Sequence, residues 1–518
     1  MKNIKYIIGI CFVGLIFSSC IKEADYDVIK VSDKVEITDG YIYKEIVAGD
    51  TVVIKPTYKY SNPKDSADYI IQWYLNGEFI SEGKEFEYTT TEPGSSTGGF
   101  ITATNTKSNV TMKIGDFAIT VSSPFSNSFY VIYEDNGQPK FGVVKPLGVG
   151  TLTFKVTPGV FESVNGEPLH TNTNKIQRSS AREMIIFAKD GIGSRTISNQ
   201  NVKQSYLLRK EFGGEVFPAG FDPSALFQTT TGMYIINADG KIYARSLPNW
   251  LPNPHLVPYS KIPVYAEGLG DIDIKHGISV QSGGVTNFLY NKAGNFIVLA
   301  SANYRSGGGT SFTKIPIHSG IQLPAEYTPL DAMGDMEVLF FGASSTFINP
   351  EFCLILKDPA DNYYHQTFGY GFDFIIRDQV VKIGQHNKRV QLPLDANENS
   401  AFMQIPNRDY LLFTGGANND KLYFIDLDLR ETGANALIEF ADFNGKKITS
   451  LSYAQWLSPQ YLTVLLFCVG LDNGDFLIYS AEDAEFQKTT HQALFEGKLG
   501  EKIIDVAYSN NGAITQDF

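Results

Sequence analysis

The stretch FYVIYEDNG, residues 129–137, has the pattern that decides the fold. Its apolar run from Phe129 to Tyr133 is typical of a short β-strand with both faces buried. Asn136-Gly137 favours the tight turn of a β-hairpin, because both residues adopt a positive φ at low cost. Aromatic and β-branched residues follow the turn. The stretch therefore predicts a hairpin in an antiparallel sheet.

The same pattern of strand, turn and second strand occurs seven times along the chain. Its turns lie on average about 56 residues apart, with spacings from about 49 to about 66. The other six strands and turns are Met184 to Phe187 with Asp190-Gly191, Met233 to Ile236 with Asp239-Gly240, Phe288 to Tyr290 with Ala293-Gly294, Phe352 to Leu356 with Pro359-Ala360-Asp361, Tyr410 to Phe413 with Gly415 to Asp420, and Leu462 to Val469 with Asn473-Gly474.

A period of this size, with one hairpin in each unit, is typical of a β-propeller. One blade cannot bury both faces of its sheet until it stacks on its neighbours. We therefore predict a propeller over residues 129–518 with seven blades, and leave six or eight blades open. The last strand pattern, Lys502 to Tyr508, either completes the final blade or closes the ring against the first.

The preceding part of the chain, residues 35–122, is predicted to be a smaller β-sandwich, joined to the propeller by a linker at residues 123–128. Trp73 and the turn at Asn76-Gly77 resemble the central strand and turn of an immunoglobulin-like or PKD-like module. We interpret Trp73 as a core residue. The fold class is thus all-β throughout. The strand patterns are Thr51 to Pro56, Tyr69 to Leu75, Phe100 to Thr104 and Phe117 to Val121.

Residues 1–19 have the pattern of a bacterial lipoprotein signal peptide that ends before Cys20. Lys2 and Lys5 are followed by an apolar run too short to span a bilayer, and small residues precede the cysteine. The alternative is an ordinary signal peptide with an incidental cysteine. We predict that Cys20 carries the lipid, because several acyl chains on one residue give a stable anchor. Residues 20–34 form an acidic tether.

The formal net charge of −13 argues against nucleic acid or an anionic membrane surface as the partner. The histidines are scattered and no pair of cysteines has zinc-site spacing. We therefore expect no metal and no cofactor. Cys353 and Cys468 lie in apolar strand patterns and are expected to be buried free thiols, although the sequence leaves their pairing open.

Two aromatic clusters are the candidate ligand-binding residues. Trp250 lies in a proline-rich stretch that places its ring on a loop. Tyr363, Tyr364 and Tyr370 form a second concentration around Gly369 and Gly371. Such rings can stack on a sugar or fill a partner's pocket, although in a propeller many aromatic residues pack between blades instead. No catalytic residues are predicted, and we expect the protein not to be an enzyme.

The signal before Cys20, the acidic tether, the module around Trp73 and the long β-repeat region together resemble the PKD-like lipoproteins of Bacteroidota. The tether also resembles the signal that sends lipoproteins to the outer face of the outer membrane in that group. The resemblance implies an accessory binding or assembly subunit of a SusC/SusD-type TonB-dependent importer of glycans or peptides. Only Cys20 carries over as a functional residue. The alternatives are a propeller-based glycoside hydrolase or polysaccharide lyase, and a purely structural surface lipoprotein.

Overall fold

The chain has two structural units, divided between Ser123 and Pro124. The computed structural model describes residues 34–90, 94–148, 152–180, 182–247, 253–281, 285–302, 310–315, 322–345, 351–373, 378–383, 389–392, 396–397, 399–405, 408, 410–427, 437–457 and 463–509. The predicted signal peptide, Cys20, the tether up to residue 33, Trp250 and Leu462 lie outside these ranges. Among the described residues, no helix is both long and apolar enough to cross a membrane.

The described part of the first unit contains nine β-strands. A five-stranded sheet has the order β2-β9-β8-β5-β6, and two-stranded sheets pair β3 with β7 and β1 with β4. The strands are β1 (Val35–Ile37), β2 (Ile42–Val47), β3 (Thr51–Ile54), β4 (Tyr58–Tyr60), β5 (Tyr69–Leu75), β6 (Glu78–Glu82), β7 (Phe86–Thr89), β8 (Gly94–Asn105) and β9 (Thr111–Ser122).

Trp73 lies at the centre of the first unit's core. Its ring is fully buried, stacks on Phe86 with centroids 5.0 Å apart and meets Phe117 edge-on. Its indole N–H donates a hydrogen bond to the carbonyl of Gly83 at 2.8 Å, so the one polar atom of the ring is satisfied. The prediction that Trp73 is a core residue is confirmed.

The second unit contains the remaining 28 described strands. They are β10 (Phe129–Asp135), β11 (Gln138–Leu147), β12 (Thr153–Thr157), β13 (Thr173–Arg178), β14 (Glu183–Ala188), β15 (Arg195–Ser198), β16 (Gln204–Leu207), β17 (Pro223–Gln228), β18 (Gly232–Asn237), β19 (Ile242–Ser246), β20 (Ile274–Gln281), β21 (Val285–Asn291), β22 (Phe296–Ala302), β23 (Thr310–Lys314), β24 (Glu337–Ser345), β25 (Glu351–Lys357), β26 (Tyr363–Asp373), β27 (Asp378–Ile383), β28 (Val390–Leu392), β29 (Phe402–Gln404), β30 (Tyr410–Gly415), β31 (Lys421–Asp426), β32 (Ile438–Asp442), β33 (Ile448–Leu457), β34 (Thr463–Leu471), β35 (Asp475–Ser480), β36 (Phe495–Lys498) and β37 (Lys502–Tyr508). Among the described residues of this unit, two short α-helices span Val160–Asn165 and Asp483–Phe486, and 3-10 turns span Leu208–Glu211, Gly213–Glu215 and Pro254–Leu256.

These strands form seven antiparallel sheets, which are the seven blades of a β-propeller. In chain order the blades are β37-β10-β11-β12, β13 to β16, β17 to β19, β20 to β23, β24 to β28, β29 to β32 and β33 to β36. The inner strands lie side by side around the ring, with β37 against both β13 and β33. The all-β fold class and the count of seven blades are confirmed within the described residues.

The seven hairpins predicted from the sequence are the second and third strands of the seven blades. Their central strands are apolar in continuous runs: all five residues from Phe129 to Tyr133 are buried, and so are all six of β18. Both faces of such a strand pack on neighbouring blades, so the period-2 alternation of a half-exposed strand is lost.

The ring closes through the last strand. β37 pairs antiparallel with β10 and becomes the inner strand of the first blade. Of the two roles left open for Lys502 to Tyr508, closing the ring against the first blade is the one that the fold uses. Residues from the two ends of the propeller also meet here, since the Ser128 N–H donates to Ser509 Oγ at 3.0 Å.

Polar side chains join the inner strands on either side of this closure, and we call this set the closing seam. Asp505 of β37 accepts hydrogen bonds from the Ile176 N–H of β13 at 2.8 Å and from Ser450 Oγ of β33 at 2.8 Å. The Gln177 amide donates to the Leu226 carbonyl at 2.7 Å and accepts from the Leu226 N–H at 2.9 Å. These bonds connect four neighbouring blades close to the axis of the ring.

The two cysteines of the propeller are buried free thiols, as expected. Cys468 lies in β34 among apolar side chains, and Cys353 lies in β25, where its thiol donates to Gln404 Oε1. Burial raises the pKa of the Cys468 thiol, which keeps it in its unreactive protonated form.

Candidate functional site

An open cleft of about 1080 Å³ lies at one end of blades 5, 6 and 7, and we call it the three-blade cleft. Its walls are the turns between the second and third strands of these blades and the connections that lead into β29 and β33. In a four-stranded antiparallel blade, the second and fourth strands end at the same edge, so these turns and connections meet there. The polar side chains on its lining are Lys357, Asp361, Asn397, Asn399, Asn418, Asn419, Lys447 and Asp472.

Two asparagines connect the blade 6 turn to the chain that enters blade 6. The side-chain amide nitrogen of Asn397 donates to Asn419 Oδ1 at 3.2 Å, and the Asn419 amide returns a bond at 3.4 Å. Asn419 has a φ of 53°, a conformation that asparagine tolerates better than most residues. Its carbonyl also accepts from the Ile448 N–H at 2.9 Å, at the start of β33. This wall of the cleft is therefore fixed by its own hydrogen bonds.

The charges on the cleft lining cancel. Lys357, the last residue of β25, forms an ion pair at 2.7 Å with Asp361 of the β25–β26 turn. Across the cleft, Asp472 accepts a hydrogen bond from the Lys447 backbone N–H at 2.9 Å. Two lysines and two aspartates thus face the cleft, and the site has no net charge to attract ions of one sign.

The blade 5 turn is held rigid by Asp358. Its carboxylate accepts from the backbone N–H groups of Ala360 and Asn362, both at 2.9 Å, and from the Tyr364 hydroxyl at 2.9 Å. Hydrogen bonds from the side chain and backbone of Asn362 are the main reason why the pKa of Asp358 falls to about 2. Asp358 therefore stays ionised and keeps this edge of the cleft in place.

Of the four aromatic residues singled out from the sequence, Tyr363 lies on the cleft lining. It is the first residue of β26, and its hydroxyl donates to the Ala396 carbonyl at 2.7 Å, in the connection toward β29. The half-buried ring therefore spans from blade 5 toward blade 6.

Tyr364 and Tyr370 have other surroundings. The Tyr364 hydroxyl is engaged by Asp358, and the Arg389 guanidinium lies over its ring at 4.9 Å. Tyr370 is 8% exposed and packs edge-on against Phe288 of blade 4, in the apolar cluster between blades 4 and 5. Tyr370 therefore packs between blades, which was the alternative to a ligand-binding role for these aromatic residues. Trp250 lies outside the described residues.

The cleft can bind a ligand through many hydrogen bonds rather than through an apolar pocket. Asn399, Asn418 and Lys447 are exposed on its lining, and side-chain amides both donate and accept. Within the described part of the chain, no group of three or more His, Cys, Asp or Glu side chains is arranged to hold a metal ion. Hydroxyl-rich or amide-rich ligands match this chemistry best.

Sequence reasoning missed most of the polar residues of the cleft. Asn418, Asn419 and Asp472 lie in segments that we interpreted only as turns, since asparagine, aspartate and glycine are common at turns for conformational reasons. One signal was present: Gly415 to Asp420 is longer than a two-residue hairpin turn and carries two adjacent asparagines. Nothing in the linear sequence placed it beside the turns of blades 5 and 7.

Part of the chain matches a known family. The PKD-like family model matches residues 24–173, which include the described part of the first unit and all of the described residues of blade 1 up to β12. No curated protein matches this chain.

Several solved structures are similar at low identity. A quinonprotein alcohol dehydrogenase-like protein of Bacteroides thetaiotaomicron has a TM-score of 0.39 and 12% identity, over 90% of this chain and 97% of that one. A DUF4784 family protein of Bacteroides caccae has a TM-score of 0.31 and 12% identity, over 79% and 96%. The extracellular domains of Drosophila Semaphorin 1a have a TM-score of 0.31 and 11% identity, over 64% and 80%. The strand topology described above, not these scores, carries the propeller assignment.

Proposed function

We propose that this protein is a surface-exposed lipoprotein of the outer membrane that binds a polar ligand as an accessory subunit of a nutrient importer. The importer is of the SusC/SusD type, driven by TonB, and the ligand is an oligosaccharide or a peptide. The propeller presents the three-blade cleft to this ligand, while the first unit is a spacer between the cleft and the lipid on Cys20. The protein has no catalytic role in this proposal.

The observation that carries the binding role is the three-blade cleft. Its volume of about 1080 Å³ has the size of a small-ligand site, and its walls come from three separate blades held by internal hydrogen bonds. A preformed site costs less conformational entropy on binding than one that must order itself. The balanced charges favour a neutral or zwitterionic ligand.

The location and the partner are proposed on other grounds. The pattern that ends at Cys20 is that of a lipid-anchored protein, and the acidic residues after it resemble the surface-export signal of Bacteroidota. The PKD-like match over residues 24–173 is consistent with the resemblance from which the importer role was inferred. The importer role is therefore proposed from the N-terminal sequence and the family match, not from the cleft.

Ligand binding is tested with a purified chain that begins at residue 20 and carries Cys20→Ser. This protein is first screened on arrays of neutral oligosaccharides and peptides, and the affinity for each ligand found is then measured by calorimetry. The double variant Asn418→Ala, Lys447→Ala removes exposed hydrogen-bonding groups, and we expect affinity to fall about tenfold or more, since each such bond contributes roughly 1 kcal/mol. The matched control is Asn201→Ala with Lys203→Ala, in a turn of blade 2, which should bind as the wild type does. Equal affinity of all three proteins would contradict a site in the cleft.

The importer role is tested by a mild-detergent pull-down of the lipidated protein from its native outer membrane. Recovery of a TonB-dependent barrel and its lid in near-equal amounts is the expected result. Recovery of the protein alone would overturn the assembly role without affecting the calorimetric test, and would direct the next experiments to hydrolase and lyase assays.

A further inference from the structure

The outer edge of blade 3 is covered by an irregular segment, residues 253–265, which we call the strap. Blade 3 has three described strands, and the strap lies beside the last of them, β19. The Ser260 N–H donates to the Ala244 carbonyl at 2.8 Å, and the Val264 N–H donates to the Ile242 carbonyl at 2.7 Å. The strap thus satisfies the edge of β19 with only two separated backbone bonds, fewer than a regular strand would make.

The strap also carries the three most exposed large apolar residues among those described. Leu256 is 66% exposed, Ile262 is 77% exposed and Tyr265 is 83% exposed. These side chains contribute little burial to hold the strap in place, since stabilisation is roughly proportional to the apolar area removed from water. Within the strap, the Tyr259 ring is buried and stacks on Phe212 with centroids 5.4 Å apart. The part of the strap before Tyr259 is held by a different interaction.

His255 makes the charged contact between this part of the strap and blade 2. Its Nδ1 lies 2.9 Å from Glu211 Oε1, and its Nε2 lies 3.0 Å from Glu183 Oε2. Glu183 begins β14 of blade 2, and Glu211 lies in the helical turn Leu208–Glu211 that follows β16. The imidazole stacks on the Tyr206 ring of β16 with centroids 4.0 Å apart. His255 of the strap is therefore held by β14 and β16 of blade 2 and by the helical turn that follows β16.

The charges around His255 balance only when the imidazole carries a proton. Glu211 also forms an ion pair with Arg245 of β19, whose guanidinium lies 4.4 Å from the centroid of the Tyr259 ring. His255, Glu211 and Arg245 are almost completely buried, while Glu183 is partly exposed. The titratable groups facing the imidazole are thus Glu183, Tyr206 and Glu211, with Arg245 and Tyr259 behind Glu211.

Burial lowers the pKa of His255, but hydrogen bonds and charge from Glu183 and Glu211 outweigh it, and the pKa lies above its ordinary value. A neutral imidazole has one N–H and cannot donate to both carboxylates. Loss of the proton therefore leaves one carboxylate without its donor and an uncompensated negative charge in a mostly buried cluster.

We propose that His255 is a proton-operated latch, which holds the strap against blades 2 and 3 while the imidazole is charged and lets the strap detach when the proton leaves. Detachment exposes the backbone edge of β19. It also frees Leu256, Ile262 and Tyr265 to move with the strap, away from blade 3. The latch therefore couples external pH to the apolar surface that blade 3 presents. It does not depend on the function proposed for the three-blade cleft.

The direction of the pH effect follows from the raised pKa. The stabilisation is complete below the pKa of an unfolded histidine, about 6.5, and is lost as the pH rises through the higher value of the folded protein. Strap opening should increase by about tenfold for each unit by which the folded pKa exceeds the unfolded one. Between pH 5 and 6, titration of His255 is not expected to change how firmly the strap is held.

Hydrogen–deuterium exchange of the full chain tests the latch, using peptides that cover residues 253–262 at pH 5.5 to 9 with correction for intrinsic exchange. In the wild type, protection of the Tyr259 amide, which donates to the Glu211 carbonyl at 2.8 Å, should fall as the pH rises. His255→Gln should give low and pH-independent protection. His276→Gln is the control, because burial lowers the pKa of His276 to about 4 and it stays neutral throughout this range.

Two further measurements keep the proposal falsifiable if His255→Gln folds poorly. The NMR titration of the His255 ring in the wild type should give a pKa above 6.5, and Glu183→Gln should lower that pKa. Wild-type protection that does not change with pH, or a His255 ring that loses its proton below pH 6.5, would overturn the latch.

Discussion

The closing seam and the three-blade cleft are both polar regions of one propeller, but their polar groups have different partners. In the seam, Asp505 and Gln177 form hydrogen bonds with backbone and side-chain groups of neighbouring inner strands. In the cleft, Asn418 and Lys447 are exposed at the ends of the blades. The seam lies near the axis, where strands crowd together, while the cleft lies where the turns of three blades diverge.

This difference separates stability from binding. A polar group that already has a protein partner gains little from a ligand, and removing it leaves its partner unsatisfied. A polar group facing water can exchange its water molecules for ligand atoms at small cost. Residues of similar chemistry are therefore expected to affect folding in the seam and recognition in the cleft.

The largest expected effect comes from removing the strand that closes the ring. A chain that ends at Glu501 lacks β37, which leaves β10 without its inner partner and blade 7 without its neighbour. We expect the propeller to lose its cooperative thermal transition, measured by calorimetry and near-UV circular dichroism. A chain that ends at Asn511 keeps every hydrogen bond described for β37 and is the control. A normal transition in the shorter chain would show that closure is not essential.

A matched pair of aspartates compares the seam directly with the cleft. Asp505→Ala leaves the Ile176 N–H and Ser450 Oγ without their acceptor, and we expect a loss of about 1–3 kcal/mol in unfolding free energy, seen as a lower Tm. Asp472→Ala removes an exposed carboxylate and should cost below ~1 kcal/mol while weakening ligand binding. Equal shifts in Tm for the two variants would contradict the distinction.

The smallest expected effect concerns the edge of the cleft. The pKa of Asp358 lies at about 2, below the value of an unfolded aspartate, so its contribution is complete above pH 4 and is lost as the pH falls from about 4 to 2. We expect the amide signals of Ala360 and Asn362 to shift over this range in NMR spectra. Asp358→Asn should remove that titration, and an unchanged titration in the variant would assign it to another group.

The hairpins were predictable because each one is specified by a few neighbouring residues of the sequence. Each central strand is a continuous apolar run, and a turn such as Asn136-Gly137, where both residues have a positive φ, is indicated by two residues alone. The fourth strands were harder to predict: the outer strand of blade 5 is divided into β27 and β28, and blade 3 has the strap in that place.

The candidate site was predicted only in part. An aromatic cluster drew attention to residues 363–372, and within it Tyr363 lines the cleft while Tyr370 packs between blades. Neighbouring residues of a strand point to opposite faces, but which face is ligand-accessible depends on the adjacent blade. The latch residues Glu183, Glu211 and His255 are far apart in sequence, and nothing local connects them.

The sequence by itself determined the all-β class, the seven repeated hairpins and the core position of Trp73, because strand propensity, turn preference and burial of apolar runs act over a few residues. Only the tertiary structure decided that β37 closes the first blade, that Asp505 joins three inner strands and that three distant turns form one cleft. Those features depend on which blades become neighbours, and neighbours in a ring are set by closure of the whole chain rather than by any single segment.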